Sequence, residues 1–169
     1  MRLRNLQQKD VPFIYEWMKD PSVNCFFRFD AEQVSLETVQ DFVSNAQAQE
    51  ENLHLACVNE EDEYLGTISL KHIDQKDKTA EYAISFRKCA HGTGAARYAT
   101  KEILRIAFED YRLEKVYLNV LTENVHACHF YEKVGFHYEG CSRSQISIAG
   151  KRRDLNWYGM TKEDWTCTR

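Results

Sequence analysis

Two glycines, Gly92 and Gly94, stand one residue apart in "CAHGTGAARYATKEILRIAFEDY", a run that begins at residue 89. The chain has only seven glycines, so a pair this close needs a physical cause. Just downstream, Ala99, Ile103, Ile106 and Ala107 recur on one helical face, widened by Leu104 and Phe108. Glycine and alanine at a helix start leave the first free N–H groups unobstructed, and the helix dipole adds partial positive charge. An oxyanion could approach the backbone of residues 92–96, with Arg87, Arg97 and Lys101 supplying full charge. The same residues also fit a tight strand-to-helix turn that binds nothing.

Several nucleotide motifs contain paired glycines. A dinucleotide fingerprint needs a third glycine three residues after the second, where this chain has Arg97. The ATP P-loop pattern G-x-x-x-x-G-K-[ST] is absent. A kinase-type glycine loop would lie near the start of a much longer chain. Metal chemistry finds no support either, because the six cysteines and six histidines make no paired ligand spacing. Cys128 and His129 are adjacent, so on a helix they face apart rather than forming a nucleophile–base pair.

The elements that must position these residues follow from periodicity. "RLRNL" (2–6) reads as a first strand. Asp10 caps a helix with Pro12 in its first turn and Ile14, Trp17 and Met18 on one face; Asp20-Pro21 ends it. Ser35 caps a second helix whose stripe is Leu36, Val39, Val43 and Ala46. The period then changes to two. In 53–58, Leu53, Leu55 and Cys57 alternate with His54, Ala56 and Val58, and "YLGTISLKHI" and "TAEYAISF" (79–86) read as two more strands of an antiparallel meander. After the glycine-led helix come a strand at 115–121 and a helix carrying Ala127, Phe130, Tyr131 and Val134. Gly135 fits its left-handed C-terminal position, with Phe136 as the apolar partner. Two last strands, near 138–147 and 151–160, flank the turn "IAGK". The order β-α-α-β-β-β-α-β-α-β-β predicts a mixed α/β fold with a mostly antiparallel central sheet flanked by helices. No linker or repeat divides the chain, so residues 1–169 are expected to form one domain.

Composition bounds the function. The chain is 43% hydrophobic and 28% charged, which is globular, and its net charge of −4 argues against a sequence-independent nucleic-acid binder. "MRLRNLQQKDVP" has no apolar signal core and no run approaches a membrane span, so the expectation is a cytoplasmic protein with reduced thiols and no membrane partner.

On these elements the chain resembles the GCN5-related N-acetyltransferase superfamily. "HGTGAA" (91–96) is similar to the superfamily's Q/R-x-x-G-x-G/A, with His91 where Gln or Arg is usual. "NVHACHFYEKVGF" (124–136) matches N-x-x-A/S-x-x-x-Y-x-x-x-G-F at Asn124, Ala127, Tyr131, Gly135 and Phe136. "AEYAISF", "FHYEG" and "IAGKRRDLNWYGMTKEDW" look most like the branch holding ribosomal-protein N-terminal acetyltransferases and spermidine acetyltransferase.

The resemblance implies acetyl-CoA as cosubstrate, no metal, and transfer of the acetyl group to a primary amine by direct attack. The pyrophosphate would lie on the backbone of His91, Gly92, Thr93, Gly94, Ala95 and Ala96, and the pantetheine arm near Phe86 and Arg87, with Asn124 reaching from the other side. Tyr131 takes the general-acid position. An unperturbed phenol, at about 10, lies above a thiol at about 8.5, so the proton transfer is modestly uphill. Glu81 is the candidate base, against a plain cross-strand ion pair. An α-amine, with a pKa of about 7.7–8.0, hardly needs a base; a polyamine or lysine-type amine, near about 10.4, needs more help. Substrate selection is expected in "DPSVNCFFRFDAEQVS" (20–35), where Phe26, Phe27 and Phe29 accompany Asp30 and Glu32, and in the final hairpin. At least two of the three phenylalanines are expected to pack under the helices instead. Acceptors left open are a protein N-terminus, a polyamine, an amino sugar or an aminoglycoside. A non-catalytic CoA or acyl-CoA sensor is the reading from another class. The superfamily is often dimeric, which allows a homodimer.

Overall fold

A first strand β1 (Arg2–Asn5) is followed by helices α1 (Val11–Lys19), α2 (Pro21–Asn24) and α3 (Leu36–Asn45). Strands β2 (Leu53–Val58), β3 (Tyr64–Asp74) and β4 (Thr79–Phe86) form the antiparallel meander. Helix α4 (Ala95–Arg105) leads to β5 (Lys115–Leu121), and α5 (Val125–Lys133) leads to the hairpin of β6 (His137–Ile148) and β7 (Lys151–Thr161). A short helix, α6 (Lys162–Cys167), follows. This is a computed structural model, and it describes residues 1–167. All seven strands join one sheet in the order β1-β2-β3-β4-β5-β7-β6.

One junction departs from the antiparallel rule. β4 and β5 run parallel and pair only at Thr79↔Lys115, Ala80↔Val116 and Glu81↔Tyr117. β4 then continues to Phe86 and β5 to Leu121 without pairing, so the middle of the sheet opens into a wedge-shaped gap. The strand on each side stays anchored, β4 by its full ladder to β3 and β5 by seven register pairs to β7.

Helices cover both faces. α4, α5 and α6 bury Ala99, Ile103, Tyr131 and Trp165 against the face carrying Ile68, Tyr82, Phe86 and Leu118. α1 and α3 bury Ile14, Trp17, Val39 and Val43 against Ala56, Val58 and Tyr64 on the other face. Burial of these stripes fixes the sheet's register, since a one-residue slip would exchange the faces.

Several local expectations change. The alternation in 53–58 does not give one buried and one exposed side: Leu55 and Cys57 enter the α4 cluster while Ala56 and Val58 enter the α1–α3 cluster, because helices lie on both faces. Leu36 is exposed and leaves the α3 stripe to Val39, Val43 and Ala46. Ser35 does cap α3, accepting from Thr38 N–H at 3.1 Å. Asp10 makes no side-chain cap to α1; its buried carboxylate instead accepts from Arg4 at 2.7 and 2.8 Å and from Gln7 N–H at 2.9 Å. The expected order lacked α2 and α6, and the wider turn at Ile106–Asp110, where Tyr111 N–H reaches back to Ile106 O. α2 is one turn, capped by Asp20 through Ser22 N–H at 2.8 Å, and is too short to register as periodicity.

Candidate active site

The glycine loop ends in an open helix start. Gly92 and Gly94 have φ of +75° and +86°, conformations that only glycine adopts cheaply, and a Cβ on either would meet nothing within 4 Å. Their role is therefore to shape the turn and leave a cleared surface, not to avoid a clash. The N–H groups of His91 and Thr93 bond to Lys88 O and Ala90 O, and that of Ala95 to the Thr93 hydroxyl. Those of Gly92, Gly94, Ala96 and Arg97 have no partner among the described residues. Four unsatisfied donors at the positive end of an eleven-residue helix fit the oxygens of a pyrophosphate. Arg97 and Lys101 are exposed beside them.

Arg87 supplies no charge there. Its guanidinium donates to both Glu16 carboxylate oxygens at 3.1 and 2.8 Å and to Tyr64 O at 3.2 Å, and lies 4.5 Å from the Phe13 ring centroid. Its N–H completes the ladder to Leu65 O. Arg87 thus ties the end of β4 to α1.

That ladder bond sets which backbone groups face the gap. With Arg87 bonded to Leu65, antiparallel alternation turns the peptide groups of Ser85 and Ala83 toward β3 and those of Phe86 and Ile84 away from it, toward β5. β5 no longer pairs with them, so these groups form a ready ladder for an extended arm such as pantetheine. His91 belongs to this edge: its Nε2–H donates to the Phe86 carbonyl at 3.3 Å. The unusual histidine therefore braces the strand end rather than pointing idly to solvent.

α5 supplies the next groups. Asn124 caps it, accepting from Ala127 N–H at 3.2 Å, and its amide nitrogen has no partner among the described residues. The helix ends as predicted: Gly135 is left-handed, Gly135 N–H bonds to Glu132 O, and Phe136 N–H bonds to Tyr131 O. Tyr131 is buried among aromatic rings, with centroids of Tyr82, Phe136 and Tyr158 at 6.0, 6.1 and 6.2 Å. Burial holds its phenol well above the ordinary tyrosine value, with Cys128 adding to the shift. Tyr82 is itself fixed to α4 through Thr100 Oγ at 2.7 Å.

The opposite face of the gap carries Glu81, Ala83 and Ser85, which alternate with Tyr82 and Phe86. Glu81 sits at the last β4–β5 pair; Lys71, its register partner on β3, donates to it at 3.0 Å, and His72 Nε2 lies 3.8 Å from its other oxygen. The cross-strand ion pair weighed against a catalytic role is thus present. The neighbouring Tyr117 phenol is pushed up by burial and by this carboxylate. Glu81 and Tyr131 therefore approach the gap from opposite sides of the sheet.

The α2–α3 connector roofs this side. Arg28 donates to Asn119 Oδ1 on the parted length of β5 at 2.8 Å. Phe27 and Phe29 pack on Trp17, with centroids at 5.4 and 6.2 Å, and only Phe26 is exposed. Packing thus claims two of the three phenylalanines. Asp30 turns back on its own connector, accepting from Glu32 N–H at 3.0 Å.

Beneath α1 and α3 lies a cavity of about 310 Å³ whose sheet floor is His54, Thr67, Ser69 and Ser85. Sequence reasoning missed it. Its trace was Thr67 and Ser69 at a spacing of two inside an otherwise apolar strand. Among the described residues, no group of three or more His, Cys, Asp or Glu side chains could hold a metal ion, and no helix is long and apolar enough to cross a membrane.

Comparison with known proteins agrees with this geometry. The model of the acetyltransferase (GNAT) domain family matches residues 1–137. A Bacillus subtilis protein provisionally named as a ribosomal N-acetyltransferase, YdaF, is 30% identical over 100 residues, which is 59% of this chain and 55% of that relative. Spermidine N(1)-acetyltransferase of Vibrio cholerae is 24% identical over 92% of this chain and 89% of its own length. The crystal structure of the Vibrio cholerae spermidine N-acetyltransferase in complex with CoA and spermine superposes with a TM-score of 0.88 at 22% identity, covering 98% of this chain and 97% of that one. With its family model matched over most of its length, a sheet parted between β4 and β5 and an open helix start beside the gap, this chain belongs to the GNAT acetyltransferase family.

Proposed function

We propose that the chain is an acetyl-CoA-dependent N-acetyltransferase that acetylates a primary amine at the β4–β5 gap. The observation that carries the reading is the parting of the sheet after Glu81 and Tyr117, which leaves the peptide groups of Ile84 and the Phe86 N–H without a strand partner beside the open start of α4, while His91 holds the Phe86 carbonyl. Those groups fit the two ends of a CoA: a chain of amides for the ladder and a pyrophosphate for the four free N–H groups. Gly92, Gly94, Ala96 and Arg97 hold the pyrophosphate, and Ile84, Phe86 and the Asn124 amide hold the arm.

When bound, acetyl-CoA supplies an acetyl thioester. The chain's own residues then do three things. The ladder of Ile84 and Phe86 fixes the reacting carbonyl in the gap, so that attack is effectively intramolecular. Tyr131 gives its phenolic proton to the departing sulfur as the C–S bond breaks. Its burial raises the phenol's pKa and makes it a weaker acid, but the same dry surroundings disfavour a free thiolate as well, so the two effects oppose each other and the transfer stays modestly uphill. On the opposite face Glu81 takes up the proton that the amine loses on forming the C–N bond, with water between them while Lys71 holds its carboxylate in place.

Residues beyond the family match complete the same sheet and core through β6, β7 and α6, which supports one acetyltransferase domain over 1–169. All six cysteines are free thiols, which supports a reducing, cytoplasmic setting. A homodimer is part of this reading by family analogy alone. The name of the Vibrio relative makes a polyamine one candidate acceptor, beside protein N-termini and other small amines.

The test is calorimetric binding of acetyl-CoA, followed by thiol release with a panel of amines and peptides. Binding with amine-dependent thiol release is expected. Binding with no release on any amine would leave a CoA sensor. Glu81→Gln is expected to lower the rate and shift the acidic limb of the pH–rate profile; an unchanged profile removes Glu81 as base.

A further inference from the structure

The cavity under α1 and α3 adjoins the reaction centre. Ser85, on the parted length of β4, lines its floor, and the next residue, Phe86, turns its peptide group into the gap. An amine reaching the gap from this face therefore has the cavity beside it. At about 310 Å³ the cavity lies at the small end of ligand sites, enough for one side-chain-sized group.

Its chemistry is specific. None of its lining residues carries a carboxylate, an ammonium or a guanidinium. Its walls are the apolar flanks of α1 and α3, including Trp17, Met18, Val39 and Phe42. Much of its polar lining is already occupied. Trp17 N–H donates to Tyr64 OH at 3.2 Å, and that hydroxyl meets Thr67 Oγ at 2.7 Å. His54 Nδ1 meets Ser69 Oγ at 2.7 Å, and the His54 ring stands edge-on to Phe42 at 5.0 Å. The Ser85 hydroxyl and the second His54 nitrogen have no hydrogen-bond partner among the described residues. A second ammonium buried here would find no carboxylate among the lining residues, which is costly, since Asp41 lines only the adjoining outer cavity beyond Thr38 and Phe42. An aromatic or branched aliphatic group would instead gain from burial.

We propose that this cavity is the acceptor's specificity pocket and takes an uncharged, mainly apolar body attached to the reacting amine. This rests on the acetyl-transfer reading and narrows it. The chemistry is shared by a free arylalkylamine and by a peptide whose first residue is aromatic, and it disfavours a polyamine as occupant.

The experiment measures thiol release with phenethylamine, a Phe-Gly-Gly amide, ethylamine and spermidine. It uses the full chain and Thr38→Trp, which fills the exposed rim of the cavity from α3. Either aromatic acceptor is expected to exceed spermidine at least tenfold in kcat/KM, and the peptide-to-phenethylamine ratio then identifies the source. Thr38→Trp is expected to lower kcat/KM at least tenfold for the aromatic acceptors, but less than twofold for ethylamine, with acetyl-CoA affinity unchanged. Phe42→Ala, which trims a partly exposed wall, is the second variant and is expected to raise the aromatic acceptors' KM. Preference for spermidine, or a Thr38→Trp effect equal for all amines or absent, overturns the pocket. Calorimetry of phenethylamine with the CoA-loaded protein separates the two failures. Binding lost in Thr38→Trp, without thiol release, sinks acetyl transfer and keeps the pocket; no binding sinks the pocket.

Discussion

The two faces of the sheet are built from different materials. On the α4–α5 face, the groups that fit a CoA are mostly backbone: four N–H groups at the start of α4 and the peptide edges of Ile84 and Phe86. The side chains there are small, with Ala90, Ala95 and Ala99 buried beneath the loop. On the α1–α3 face the available groups are side chains: Glu81, Ser85, His54 and Ser69, set in aromatic and aliphatic walls. A backbone site tolerates many side chains but depends on conformation. A side-chain site is set by residue identity at each position. The faces should therefore respond to substitution in different ways.

The largest effect is expected where a side chain acts at the centre. Tyr131→Phe keeps the ring and its packing against Tyr82, Phe136 and Tyr158 while removing the proton. The expected loss is ~10²–10⁴-fold in kcat, with little change in acetyl-CoA affinity. Steady-state kinetics with calorimetry check this, and a kcat within twofold of the parent would transfer the acid role elsewhere.

Gly94→Ala tests the backbone side of the comparison. The new Cβ meets nothing, so the cost is purely the left-handed conformation, roughly 1–2 kcal/mol. If the loop relaxes to relieve it, the donors lose their aim and the acetyl-CoA Kd should rise about tenfold. Gly150→Ala is the control, since its φ of +74° in the β6–β7 turn carries the same strain away from the cofactor. Both should lower Tm; only the first should change Kd. Equal Kd values would mean that the loop's shape is not what holds the pyrophosphate.

This contrast also explains what could be read in advance. The cofactor face was legible because conformational demand leaves a mark in composition. Gly92, Gly94 and Gly135 each occupy positive φ, and Asn124 caps α5, so the residues record the backbone. The boundaries of β4 were legible residue for residue, set by the polar residues before it and the glycine-led helix after it. On the α1–α3 face Glu81 could be named in advance but the cavity could not, because it is assembled from β2, β3, β4, α1 and α3, and single residues such as His54 carry no local signal. Packing took two of the connector phenylalanines under the helices, as expected, but went against the expectation for Arg87, which turned to Glu16 rather than to the loop.

Arg87→Gln asks whether the two faces communicate. The side chain joins α1, on the acceptor face, to the end of β4 at the cofactor edge. Losing it should raise the acetyl-CoA KM a few fold, by about three- to tenfold, while leaving kcat at saturation nearly unchanged. Glu16 is half exposed, so the coupling in a double-mutant cycle with Glu16→Gln should stay below about 1 kcal/mol. A larger coupling, or a kcat effect, would mean that the latch sets the gap itself.

The smallest effect concerns His54. Burial lowers its pKa below the ordinary imidazole value, and the Lys71 ammonium on β3 acts in the same direction. From α3, Phe42 covers the ring, and Asp41 lines with it a second, outer cavity along α3 that also includes Thr38 and Asn45; Ser69 faces it from β3. In the folded chain the neutral ring is thus favoured, and in the unfolded chain the ring still protonates near its ordinary value of about 6.5. Between those two values the unfolded state binds more protons, so stability rises with pH there. The contribution is fully present above about 6.5 and is lost as pH falls toward the lower folded value. His54→Gln removes the titrating group while keeping a polar side chain beside Ser69. Its Tm should therefore decline less steeply than the parent's as pH drops from about 7 to 5, with the two curves differing least above neutrality. Parallel curves would mean that the ring is solvated enough to protonate in place, and that the floor of the acceptor cavity is wetter than its lining implies.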